Sequence, residues 1–579
     1  MNSSKKIFIG VAWPYVNDVF HLGNLAGAYL PPDIFARFHR LCGNEVLMVS
    51  GSDAHGTPIT VRAQKEHVAP EEIAARYHEL NKIYLAQFRI DYDLYTTTAT
   101  QNHREVTQKM FLALLKNGFI KILTTKQPYS SKSNTFLQDR YIQGECPHCH
   151  FKEARGDQCE NCGRTLEPIE LINPRSKIDD SPLVLKETQN YFLDLSLLQD
   201  DIAQWLAAKG DWRDWVKSEA MGWVKEGLHP RAITRDLDYG VPLPIADIPK
   251  DKRIQNIEHK VFYVWFEAVI GYLSAAIEYS KTKHTPDYWK EFFYDKPNEN
   301  KPNENKPNEN KPNENKKAET YYFVGQDNLV FHTINWPAQL RGYDKVINLP
   351  TNVFVNKFLL LEGQKMSKSR GWFIETPYLL ENYSADAIRF YVAFHMPESK
   401  ELNFTWHDFY ATTNNVLIAT VGNFIHRTLT FYKTNFGETI SFDGERDTQI
   451  IKEINETFER AKKNLEQGQF KEALEQIVEL AAFGNKYIDT HKIWKEEKAQ
   501  AKEHTLNALL IVVNLTNLLY PFIPSSMEKL CDILGKDKPS QWQPILNGTL
   551  KISKTIEPLF KKLDLKNIEK ERGKLKNSQ

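Results

Sequence analysis

The sequence predicts an α/β protein. An open sheet lies at the N-terminal side, an insertion carrying four cysteines interrupts it, and a helical C-terminal part follows. Three observations predict this. Strand, tight turn and helix succeed one another at the N-terminus. Residues 120–235 break that rhythm with turns and two Cys-x-x-Cys pairs. From about residue 400 the apolar residues recur at three- and four-residue spacing, the mark of amphipathic helices. With 579 residues and 41 % hydrophobic content, three or four domains can each bury a core.

Lys6–Trp13 reads as the first strand, because Ile7, Ile9 and Val11 alternate with smaller neighbours. A turn-rich PYVND follows. HLGNLAGAYLPPDIFARFHRL is helical after its first turn, with a break or bend expected at Pro31–Pro32. Val46–Val49 is a second buried strand, closed by Gly51, Ser52 and Asp53. After the insertion, strand-like runs resume at 261–266, 321–325 and 346–355 and complete the sheet. Four consecutive KPNEN copies occupy 296–315, too polar and Pro-rich to fold, so a disordered surface loop is expected there. Farther on, Ile451, Ile454, Phe458, Ala461 and Leu465 mark one helical face, and Phe470, Leu474, Ile477 and Leu480 another. The basic, polar end reads as a frayed tail.

Composition removes several classes of function. Lys plus Arg and Asp plus Glu both number 74, so the formal charge is zero and any nucleic-acid surface must be a local patch. The apolar stretch 509–520 is too short to span a bilayer and contains Asn514 and Asn517, so it reads as a core helix. No signal-peptide pattern opens the chain, and a cytoplasmic protein is expected. Six cysteines, four of them clustered, indicate metal binding in a reducing compartment, not disulfides.

Three motifs carry chemistry. His21-Leu22-Gly23-Asn24 sits at a strand-to-helix turn, where unpaired backbone N–H groups and a dipole end suit phosphate. Gly23 admits a nucleotide close to the backbone, and His21 can donate to phosphate oxygens. Lys365-Met366-Ser367-Lys368-Ser369, after Glu362-Gly363-Gln364, makes a mobile cationic loop able to close over a leaving pyrophosphate. Either motif alone is weak; the pair, in this order across a split α/β domain, is informative. Cys146-x-x-Cys149 and Cys159-x-x-Cys162 have the spacing of two knuckles that chelate one tetrahedral ion. Four protein thiolates leave no open position, so a structural zinc is expected.

HLGN and KMSKS together resemble the HIGH and KMSKS signatures of class I aminoacyl-tRNA synthetases, and the resemblance to the methionyl members covers most of residues 5–560. It implies a Rossmann-type catalytic domain split by a zinc-bearing insertion, followed by an all-α anticodon-binding domain. The expected divisions are 1–119 and 236–355 for the catalytic halves, 120–235 for the insertion, 356–400 for the stem-contact region with KMSKS, 401–545 for the anticodon domain and 546–579 for a tail. It also implies roles. His21, Asn24, Lys365 and Lys368 would stabilise charge on the reacting phosphates, and Gly23, Gly325 and Asp327 would join them around ATP, which is bound with Mg2+. Trp13, Tyr15, Trp265, Ala268, Tyr272, Asn328, Phe331 and His332 would enclose methionine, with Asp53 on its ammonium and Arg235 pairing with Asp53. Asn423, Arg427 and Trp494 would contact the anticodon. Aromatic walls with few polar handles suit a thioether independently of the resemblance.

The sequence departs from the family pattern at Asn24, Glu267, Val269, Gln326, Ala419 and Ile493. Two rivals fit less well. An enzyme of valine, isoleucine or leucine type needs a far larger editing insertion, and one for cysteine needs a catalytic zinc in the amino-acid site. A non-catalytic tRNA-binding paralogue would be expected to lose His21 or the loop lysines. The chain ends soon after Glu557-Pro-Leu-Phe without an appended tRNA-binding domain, so a monomer is expected.

Overall fold

The computed structural model describes residues 4–137, 141–156, 159, 161–162, 166, 170–177, 179–295, 318–366 and 371–576. Its centre is a five-stranded parallel sheet: β1 (Lys6–Val11), β2 (Glu45–Ser52), β3 (Leu94–Thr97), β4 (Glu319–Gly325) and β5 (Asn352–Asn356), in the order β5-β4-β1-β2-β3. All four pairings are parallel. Helices cover both faces, so β1 and β4 are buried almost throughout and read as apolar runs without alternation. The order reverses between β1 and β4, which opens a crevice at their C-terminal ends, the place where open α/β sheets bind ligands.

Two expectations are corrected. Residues 261–266 are not a sheet strand. Only Lys260–Phe262 is extended, paired antiparallel with Thr234–Asp236, and a helix runs over Val264–Thr282. A short apolar run buried on all sides cannot be told from a strand by periodicity. Pro31 and Pro32 do not break the first helix. A π turn over Leu25–Tyr29 precedes Leu30–Leu41, and the two prolines occupy that segment's first turn. Prolines donate no N–H, so carbonyls one turn earlier lose their partners. The Asn356 side chain donates to one of these, Ala26 O, at 2.9 Å and so ties the end of β5 to this helix.

The insertion grows from a long antiparallel pair, Ile120–Ser130 with Val184–Leu193. At its tip, Leu137, Ile142, Ala154, Leu166 and Leu171 gather around Cys146 and Cys159 in a core of their own. The KPNEN copies at 296–315 lie outside the described residues. The C-terminal part is helical as expected, but its end is not loose. Helix Leu565–Lys576 buries Ile568, Glu571 accepts from Tyr378, and Asn414 Nδ2 donates to Leu563 O at 3.0 Å. Single apolar residues widely spaced in a basic segment gave little periodic signal. Among the described residues no helix is long and apolar enough to cross a membrane.

The sheet and the helical part meet at a buried ionic joint. The fully buried Arg389 donates to Asp33 Oδ2 at 2.7 Å and to the carbonyls of Phe88, Pro521 and Phe522 at 2.8–3.0 Å. Arg37 Nε reaches the same Asp33 oxygen at 2.9 Å. Burial pushes the Asp33 carboxyl up, but the two guanidiniums outweigh it and hold it below its usual value. Arg389→Ala leaves Asp33 and three carbonyls short of a donor. We expect about 3–5 kcal/mol lost in denaturant unfolding, the usual cost of breaking a buried pair.

Candidate active site

The crevice holds a cavity of about 610 Å³. Around it lie Trp13 and Tyr15 beyond β1, Asp53 beyond β2, Gly325, Asp327 and Asn328 beyond β4, Asn356 and Lys357 beyond β5, His21, Gly23 and Asn24 of the first helix, and Trp265 and Lys365. Sequence reasoning placed most of these here from motifs hundreds of residues apart. Asn356 and Lys357 it missed; their position at the end of a strand beside the switch point was the available signal.

His21 caps the first helix. Its Nδ1 accepts from Gly23 N at 3.1 Å, and Asn24 Oδ1 accepts from His21 N at 3.1 Å. With Nδ1 engaged as an acceptor, the neutral ring carries its proton on Nε2 and is a donor there. Asn24 therefore has a local task, closing the capping box through its side-chain oxygen. Lys365 comes from the strand Gln364–Lys365, which pairs with Leu359–Leu361 across the two-residue turn Glu362-Gly363. Both turn residues have positive φ, 46° and 83°, as a type I′ hairpin requires. The turn sets Lys365 at the cavity with its Nζ 5.4 Å from the Phe358 ring centre. Lys368, Ser367 and Ser369 lie outside the described residues.

The aromatic wall is built on glycines. A Cβ on Gly51 would fall 2.3 Å from Trp13 and one on Gly56 2.1 Å from Tyr15, so each ring rests directly on bare backbone. Tyr15 and Asp53 sit side by side in a parallel bridge, with Asp53 N donating to Pro14 O at 2.8 Å. Trp265 stacks on Phe331 with ring centres 4.2 Å apart and meets Tyr15 edge-on. Trp265 also lines a second cavity of about 480 Å³, together with Phe331 and Arg235. Ala268, Tyr272 and His332 are buried and do not line the main cavity. His332 Nδ1 faces Asn328 O at 2.8 Å and so must donate; Nε2 then accepts from the Tyr272 hydroxyl at 2.7 Å. Burial pushes His332 down to about 4, so it is neutral at physiological pH.

Arg235 departs from expectation. It lies over the Tyr263 ring at 4.0 Å and donates to Thr234 O. The groups near Asp53 are different ones. Glu267 is wholly buried and joins His55 Nδ1 at 2.9 Å and His103 Nε2 at 2.5 Å. Burial raises the Glu267 carboxyl, but the two imidazoles outweigh it and keep it ionised. Asp53 is 2 % exposed, and burial first, then the Glu267 charge, raise it well above the usual carboxylate range. An ammonium ion bound beside Asp53 would offset both effects and favour its ionised form.

In the insertion, the four cysteine sulfurs lie within 4.8 Å of one another. Cys146 and Cys162 are 3.9 Å apart, and Cys149 and Cys159 3.5 Å. A tetrahedral ion with bonds of about 2.3 Å needs sulfurs about 3.8 Å apart, so the donor set fits zinc. In the helical part, Asn423 is exposed, Arg427 donates to Asp489 Oδ1 at 3.0 Å and Asn485 O at 3.1 Å, and Trp494 is 54 % exposed. Burial of Trp494 in the helical core is thereby ruled out.

Comparison with known proteins agrees with this geometry. The family profile described as tRNA synthetases class I (M) matches residues 7–429, and that of the anticodon-binding domain of tRNA ligase matches 447–578. A methionine--tRNA ligase of Dehalococcoides mccartyi is 42 % identical over 99 % of this chain and 100 % of its own. One from Roseiflexus sp. (strain RS-1) is 41 % identical over 94 % and 89 %. The fold resembles Mycobacterium tuberculosis methionyl-tRNA synthetase bound by methionyl-adenylate, with TM-score 0.75 at 20 % identity over 96 % of this chain and 100 % of that one. A profile match over most of the chain, and a relative matched end to end, lead to one conclusion: the chain belongs to the class I tRNA synthetases (M).

Proposed function

We infer that the chain is a methionine--tRNA ligase. It activates L-methionine with ATP to methionyl-adenylate and pyrophosphate, then transfers methionine to the terminal ribose of tRNA. The observation that carries the substrate reading is the cavity itself: a buried, charge-hungry carboxylate at Asp53 beside the aromatic rings of Trp13, Tyr15 and Trp265. Asp53 takes the ammonium and the rings take the thioether chain. Phe331 supports Trp265, Tyr272 supports Trp13 and is itself held by His332, and Ala268 is buried on the helix that carries Trp265.

In the first step the methionine carboxylate attacks the α-phosphorus, and pyrophosphate leaves. The protein's part is positioning and charge stabilisation. His21 Nε2–H, the Asn24 amide, Lys365 and, by its motif, Lys368 would stabilise charge on the phosphates, Gly23 would let them approach the backbone, and Gly325 and Asp327 would hold the ribose side. ATP brings Mg2+ with it, which offsets phosphate charge. In the second step a ribose hydroxyl of the tRNA attacks the mixed anhydride and AMP leaves.

Cys146, Cys149, Cys159 and Cys162 would hold a structural Zn2+, which staples an insertion tip whose own core is small. Cys146→Ser should remove one equivalent of zinc from the purified chain, read by element analysis, and make the tip protease-sensitive. An unchanged zinc content would refute the assignment. We also propose the domain divisions given above, cytoplasmic residence and action as a monomer.

Trp494, with Asn423 and Arg427, reads the anticodon by stacking a splayed base. Base stacking is worth about 1–3 kcal/mol, so Trp494→Ala should lower kcat/KM for tRNA charging about 5- to 150-fold and leave methionine-dependent pyrophosphate exchange unchanged. Equal losses in both assays would contradict a dedicated anticodon role.

A further inference from the structure

Besides the cysteine knuckle, the described residues bring three metal-binding side chains together at one other place: His491, Glu496 and His504, whose ligand atoms lie within 4.8 Å of one another. His491 ends the helix Phe470–His491, the chain reverses through Lys492 at φ 49°, and His504 lies near the start of the helix Lys498–Leu519. Glu496 stands in the turn between them. His504 Nδ1 is 2.8 Å from both Glu496 oxygens, and His491 Nδ1 is 3.8 Å from one of them. The two imidazoles face each other at 3.8 Å. Tyr487 backs both rings, at 4.5 and 5.9 Å, and its own hydroxyl is held by Asn507 Nδ2 at 3.1 Å. All three ligand side chains keep part of their surface open, 33 %, 15 % and 24 % for His491, Glu496 and His504.

We propose that these residues form a second metal site, for a borderline divalent transition ion such as Zn2+, which clamps the turn carrying Trp494. Two imidazoles and a carboxylate are the donor set such ions prefer, whereas Mg2+ and Ca2+ favour oxygen alone. Bonds of about 2.0–2.2 Å place tetrahedral ligand atoms about 3.4 Å apart, and the observed 2.8 and 3.8 Å bracket that spacing. A bound ion would be held through an unprotonated nitrogen of each ring and an oxygen of Glu496, in place of the contact that His504 Nδ1 now makes with that carboxylate. Because the ligands come from both sides of residues 492–495, the bound ion fixes the turn. The consequence for tRNA rests on the reading of Trp494 as the stacking residue; the metal site does not.

The test uses the full chain with zinc already in the cysteine knuckle, equilibrated with micromolar Zn2+ and then freed of unbound metal. Element analysis should find two equivalents of zinc in the wild type and one in the double variant His491→Ala/His504→Ala. Unchanged pyrophosphate exchange verifies that the variant is folded. One equivalent in the wild type, or two in the variant, overturns the site. With Co2+ in the second position, the visible spectrum should lack the thiolate charge-transfer band that the knuckle gives; its presence there assigns the metal elsewhere and also overturns it. At saturating Zn2+, His504→Ala should bind tRNA about 2- to 10-fold more weakly than wild type, the factor expected when one ordered side chain regains its freedom. Equal affinities overturn the clamp. Trp494→Ala tests the stacking reading apart from this: if that variant alone binds tRNA normally, the stacking reading fails while the zinc count still decides the site.

Discussion

Lys365→Ala is expected to lower the rate of methionine-dependent ATP–pyrophosphate exchange about 10²- to 10³-fold, with methionine affinity nearly unchanged. That is the usual cost of removing one charge-stabilising donor from a transition state. The hairpin explains why the loss should fall on rate. Glu362 and Gly363 form a tight I′ turn that sets Lys365 at the cavity, on an element separate from those holding Asp53, Trp13 and Tyr15. Its charge is needed most when pyrophosphate begins to leave, so it stabilises the transition state more than bound methionine. Lys365→Arg, which keeps a cation on the same turn, should recover part of the rate. Wild-type exchange in the alanine variant would remove Lys365 from the mechanism.

Asp53→Asn is expected to raise the KM for methionine about 10²- to 10⁴-fold while changing kcat much less. A buried ion pair that loses one partner costs about 3–5 kcal/mol. In the free protein Asp53 is already uncomfortable, because burial and Glu267 both disfavour its ionised form. Its folded pKa lies above the unfolded value of 3.8, so folding stability falls as pH rises from there through the folded pKa. Bound ammonium reverses that shift. The free Asp53→Asn variant escapes the loss. It should therefore melt no lower than wild type at neutral pH, while methionine should stabilise wild type far more. A variant that melts much lower would mean the KM change reports misfolding.

The sheet was legible where strands are closed by special residues: Lys6–Val11 before the HLGN turn, and Glu319–Gly325 before Gln326-Asp327. It was misread at 261–266, where a buried helix and a strand share one apolar signature. The cavity's contributors were legible through their motifs, since each sits at a strand end. Their supports were not. His55, His103 and Glu267 meet across 164 and 212 residues of chain, and no local pattern announces such a cluster. Gly51 read as the close of a strand, but it and Gly56 serve to admit Trp13 and Tyr15. Arg235 was expected on Asp53 and instead covers Tyr263, because its strand, Thr234–Asp236, pairs with Lys260–Phe262 and carries it toward the second cavity.

The most direct measurement is ATP–pyrophosphate exchange with the purified chain, run separately with each of the twenty amino acids. Methionine alone should drive strong exchange. Exchange driven by valine, leucine, isoleucine or cysteine, with methionine inert, would contradict the account.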